Sequence, residues 1–175
     1  MLCACLFTTS GSVVSWCSYT AKKDKIMSSA FYSAIFKAHI ATIHSVRNIP
    51  EMGAVSQEEL NKVRNRAVLL TTLDVMLAIH RQEHGTIFSP LKGKAAITHF
   101  LNQAYSWPGE QIRKMDLEDV IIAVQHHLVL DKMPQSYRDF LDKIHANVWD
   151  FSFDEFINGE WNPDHSKEYS NLLVE

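Results

Sequence analysis

The sequence predicts an all-α fold: a single compact bundle or orthogonal array of about five to six helices. Three observations predict it. From Ser28 to Ile144, apolar residues recur at three- and four-residue steps in successive stretches, which places them on one face of a helix. Prolines and capping residues punctuate those stretches at helix-like intervals. The chain also has 175 residues, 46% hydrophobic and 21% charged, an ordinary globular composition with enough length for one sizeable core.

The first 26 residues stand apart. The stretch MLCACLFTTSGSVVSWCSYT has no basic leading region, and its apolar run is broken at Thr8 to Ser12, so it does not read as a secretory signal. Its apolar residues hold neither a helical nor a strand period. Lys23-Asp24 can be encoded AAGGAT, a purine-rich ribosome-binding sequence just ahead of the Met27 codon. We therefore expect residues 1–26 to be an extension upstream of the true start in a bacterial or phage gene. The competing expectation is a disordered arm. Residues 27–175 then form the single helical domain.

The first helix is expected over about 29 to 47, with Tyr32, Ile35, Phe36, His39, Ile40, Ile43 and Val46 on one face, and it stops before Pro50. Ser56-Gln57-Glu58-Glu59 has the S-x-x-E form of a capping box and opens a long second helix. Its stripe is Leu60, Val63, Ala67, Leu70, Leu73 and Leu77, and Gly85 is expected to turn left-handed past its end. Val68 to Ile79 is apolar almost all round, which predicts a central position.

Ser89-Pro90 reads as the cap and first residue of a third helix reaching Ser106, with Ile97, Phe100, Leu101, Ala104 and Tyr105 inward and Pro108-Gly109 as its stop. Asp116 caps a fourth, ending near Asp131, with Leu117, Val120, Ile121, Val124 and Leu128 inward. Pro134 opens a fifth, carrying Tyr137, Phe140, Leu141 and Ile144. A further short helix is expected within the aromatic-rich stretch from Val148 to Trp161.

Composition limits the chemistry. The three cysteines, Cys3, Cys5 and Cys17, all lie in the first 26 residues, so the main body has no thiolate nucleophile and no Cys-ligated zinc, and a reducing, cytoplasmic setting is expected. A net charge of −3 offers no general field for a phosphate backbone, which argues against nucleic acid as the main partner. No apolar run reaches the length of a membrane span.

The sharpest local pattern is His80-Arg81-Gln82-Glu83-His84, which matches H-x-x-E-H, the inverted zinc-protease signature. Residues four apart share a helix face, so His80 and His84 are candidate zinc ligands and Glu83 a candidate general base acting on metal-bound water. Glu118, Asp119, His126 and His127 are candidates for a third ligand. Against this, histidine in the last turn of a helix is favoured by the dipole and by capping of free carbonyls, and a protein without cofactor is the plainer expectation. Asp74, set among Leu73, Val75 and Met76, requires a partner if it is buried. Lys92-Gly93-Lys94 could hold an anion but lacks the rest of a phosphate loop.

From Asp150 to Glu175 there are seven acids and one cation, interleaved with aromatic rings. Phe151, Phe153, Asp154, Glu155 and Trp161 are the candidate contacts for a basic protein partner, with rings as anchors and carboxylates steering the encounter. The functional expectation is a small accessory or regulatory protein acting by macromolecular binding. A metal-dependent hydrolase built on residues 80–84 and a DNA-binding regulator are the alternatives.

Overall fold

In the computed structural model, residues 27–53, 55–146 and 151–169 are described. The expectations for residues 1–26, for Val148 and Trp149, and for the acids Asp150 and Glu175 lie outside them. The regular elements of the described residues are all helices, without a strand, as the periodicity predicts.

Helix α1 (Ser29–Arg47) starts where Ser28 Oγ accepts the Phe31 N–H at 3.2 Å and ends at Asn48, which takes the left-handed conformation with φ 53°. Its inward face is Phe31, Tyr32, Ile35, Phe36, His39 and Ile43. Helix α2 (Gln57–His84) lies against α1 along much of its length and is the spine of the fold. Every residue from Leu70 to Ala78 is buried, which is why its sequence is apolar almost all round. The two threonines in that run return their hydroxyls to the preceding turn, Thr71 to Ala67 O at 2.7 Å and Thr72 to Val68 O at 2.8 Å. Gly85 follows α2 in an extended conformation, φ −69° and ψ 140°, so the expected left-handed turn does not form. A Cβ there would nevertheless run into the Arg81 carbonyl oxygen.

Helix α3 (Lys94–Tyr105) begins four residues later than Ser89-Pro90 suggested, with Gly93 as its N-cap. Ala104, expected inward, is exposed. Pro108 does not only stop α3: it is the N-cap of a short helix α4 (Gly109–Lys114), which the sequence did not predict. Helix α5 (Leu117–Val124) is capped by Asp116 as expected, but it breaks at Gln125 into 3-10 turns over Gln125–His127 and Leu130–Lys132 instead of running to Asp131. Helix α6 (Gln135–Lys143) follows Pro134 and lies against α1, where Tyr32, Tyr137 and Phe140 cluster with ring centres 5.1 to 6.1 Å apart.

Residues 151–161 contain no helix, against the expectation of a short one. The chain crosses the bundle there as an irregular strap before the short α7 (His165–Glu168). No helix among the described residues is long and apolar enough to cross a membrane.

Candidate functional site

The end of α2 and the middle of α3 bring three histidines together. His80 is buried, and His84, four residues on, lies at the rim with 36% of its side chain exposed, so only one of the two points into the core. The third is His99, from α3. His80 Nε2 and His99 Nδ1 face each other at 2.8 Å. Ring centres are 4.5 Å apart for His80 and His84, 5.0 Å for His80 and His99, and 5.7 Å for His84 and His99. The Phe100 ring closes the inner side, edge-on to His80 at 5.2 Å. Burial, then the neighbouring His84 and His99, pushes His80 down to a pKa of about 4, so its imidazole is neutral at pH 7.

Glu83 is exposed, with its carboxylate 3.8 Å from His84 Nε2. None of Glu118, Asp119, His126 or His127 joins the cluster. The His126 and His127 rings lie 3.8 Å apart, within the 3-10 turn that follows α5. Among the described residues no three His, Cys, Asp or Glu side chains are already arranged around a common metal position. His99 escaped sequence reasoning because nothing local distinguishes a histidine on the half-buried face of α3 until that helix is docked.

The loop joining these two helices is the second feature. Ile87 and Phe88 are 96% and 98% exposed, more than any other large apolar side chain of the described residues. They sit at the tip of a turn fixed by hydrogen bonds from Thr86 N–H to Ser89 O at 2.9 Å and from Ser89 N–H to Thr86 Oγ1 at 3.0 Å. Both ends of the loop are tied down. The Gly85 N–H donates to Arg81 O at 2.8 Å, and Arg81 Nε donates to Leu91 O at 3.1 Å. Leu91 is buried in a left-handed conformation, φ 51°, that a leucine adopts only under tertiary constraint.

The aromatic and acidic segment turns the rings of Phe153, Phe156 and Trp161 and the acid Glu160 toward the bundle. Glu160 is fully buried and accepts from Arg47 Nε and, at 2.7 Å, from Arg66 Nη1. Those arginines also bond the strap's backbone: Arg66 Nη2 to Phe153 O and Glu155 O at 3.1 and 2.9 Å, and Arg47 Nη2 to Glu155 O at 2.8 Å. The Arg47 guanidinium lies 3.7 Å from the centre of the Phe153 ring, and that of Arg66 lies 3.8 Å from Phe156. Trp161 Nε1 donates to Asp74 Oδ1 at 3.1 Å, while Asp74 Oδ2 is 2.9 Å from His39 Nε2, so the buried aspartate has the partners its burial demands. Of the five expected partner contacts, Phe153 and Trp161 are therefore held by the bundle. Phe151, Asp154 and Glu155 remain at the surface.

Lys94 and Arg113 line two adjoining clefts, of about 350 and 370 Å³, on the outer side of α3 and α4. The Lys92-Gly93-Lys94 backbone itself is approached by a carboxylate of the chain: a Cβ on Gly93, whose φ is +55°, would lie 2.7 Å from Asp164 Oδ1. The start of α3 thus already faces an anion of this protein.

No protein family, curated protein or solved structure matches the chain.

Proposed function

We propose that the chain works by binding another protein, with the Thr86–Ser89 turn as the anchor that enters an apolar pocket of the partner. The observation that carries this reading is the near-complete exposure of Ile87 and Phe88 on a loop pinned at both ends. Scattered apolar residues on a surface are ordinary, but two adjacent large ones held out on a hydrogen-bonded turn are not. Full burial of each is worth about 1.5 to 3 kcal/mol. Because the turn is already ordered, little of that gain is spent on fixing the loop. Phe151, Asp154 and Glu155 supply a separate acidic surface that would favour a basic partner, as the charge pattern of the sequence suggests.

A photo-crosslinking residue at position 88, introduced in the expressing host, tests this. One specific adduct with a different protein is expected, and it should disappear on Ile87→Asp. Since Ile87 packs on nothing, that substitution should change folding stability by no more than about 0.5 kcal/mol. Adducts only with a second copy of the chain, with lipid alone, or with nothing would overturn the proposal.

A further inference from the structure

We infer that His80, His84 and His99 form a binding site for one transition-metal ion of the zinc class, a three-histidine site that bridges the end of α2 to α3. The ring geometry supports this site independently of any partner at the Thr86–Ser89 turn. A zinc–nitrogen bond is about 2.0 to 2.1 Å long, which puts the metal about 3.2 Å from the centre of each ligating imidazole. Three such rings at tetrahedral angles then have centres about 5.2 Å apart. The observed separations, 4.5, 5.0 and 5.7 Å, bracket that value.

The facing nitrogens of His80 and His99, 2.8 Å apart, would have to part only to about 3.3 Å to share a tetrahedral ion. Small ring rotations suffice, and the exposed position of His84 leaves it free to turn and gives the ion a way in. The chemistry of the donors agrees with the geometry. Two ring nitrogens 2.8 Å apart, with no carboxylate between them, are held otherwise by a single shared proton.

Three protein ligands leave one tetrahedral position for water, and nitrogen-only donors favour zinc, cobalt, nickel or copper over magnesium or calcium. The ligands also bracket the loop that carries Ile87 and Phe88, so an ion here would fasten the base of that turn.

The test is cobalt titration of the full, metal-free chain under reducing conditions, read by visible absorption, with zinc as competitor. One equivalent of cobalt with tetrahedral bands and no thiolate charge-transfer absorption is expected, displaced by zinc. His84→Gln and His99→Gln should each weaken binding by more than the roughly 10- to 100-fold typical of losing a mere supporting contact, whereas His126→Gln and His127→Gln should leave it unchanged. His84 is at the surface, so its variant keeps the fold and carries the test even if His99→Gln does not. No saturable cobalt binding, thiolate bands from the N-terminal cysteines alone, or equal affinity in His84→Gln would overturn the inference.

Discussion

Glu160 shows how much of the molecule hangs on one side chain. It comes from a stretch whose acids read as a solvated, outward-facing series, yet among the described residues it alone of these acids is taken fully inside, between two guanidinium groups that also hold three carbonyl contacts of the strap. A carboxylate buried with both oxygens engaged is costly to remove because Arg47 and Arg66 are then left desolvated and facing each other. Glu160→Gln, which keeps the shape and deletes the charge, should lower unfolding free energy by about 3 kcal/mol in urea denaturation, whereas Glu155→Gln at the surface should change it by less than about 1 kcal/mol. Equal effects would mean that the strap is held by its rings. The pairing itself was not legible in the sequence: Glu160 lies 113 residues from Arg47 and 94 from Arg66, and neither arginine differs locally from its neighbours. Asp74 was half legible. Its apolar surroundings dictated a partner, but only docking of α1 and the strap identifies His39 and Trp161.

At the scale of elements, legibility followed the caps. Where a short-range hydrogen bond starts a helix, the sequence placed the start within a residue: Ser28 for α1, Ser56 for α2, Asp116 for α5. At Ser56 the hydroxyl accepts the Glu59 N–H at 3.1 Å, and the Glu59 carboxylate sits 3.3 Å from that same hydroxyl instead of reaching back to the Ser56 N–H, so half of the capping box is used. Ser56→Ala should therefore cost about 1 kcal/mol, and Ser56→Asp, which retains an acceptor, should recover most of it, as thermal unfolding would show. A variant without effect would place the origin of α2 in tertiary packing alone. Ser89-Pro90 had the same local grammar and failed. There the chain is committed to the exposed turn, Leu91 is buried in a left-handed conformation, and the helix begins only after Gly93, whose φ of 55° and ψ of −135° suit glycine alone. Long-range burial of one leucine outweighed a cap worth about 1 kcal/mol. The break in α5 has the same character, since nothing in Val124 to Leu128 forbids a continuing helix.

For the whole molecule, the fold class followed from periodicity, but the meeting of helix ends did not, and that meeting decides how the protein responds to acid. His80, His127 and His165 all have pKa values lowered chiefly by burial, His80 to about 4. Each is a base held neutral in the folded state and free to protonate once unfolded, so between the two pKa values the unfolded chain binds more protons and stability falls as pH falls. The contribution of His80 is fully present above its ordinary value of 6.5 and is lost progressively as the pH drops toward about 4. Allowing for solvent screening beside the open His84, the loss amounts to roughly 1 to 2 kcal/mol. Most carboxylates remain ionised down to about pH 5, so the interval from pH 7 to 5.5 isolates the histidines. Unfolding free energy of the metal-free chain should decline across that interval, and His80→Gln, which removes the titrating group but keeps polar atoms in its place, should flatten the decline while His126→Gln leaves it intact. An unchanged slope in His80→Gln would show that protons enter through His127 and His165, and that the cluster at the end of α2 tolerates charge. Saturating zinc offers the complementary arm: an ion shared by the three imidazoles competes with the proton for the same nitrogens, so it should raise stability at pH 7 and steepen its fall toward pH 5.5, as metal is lost to protonation.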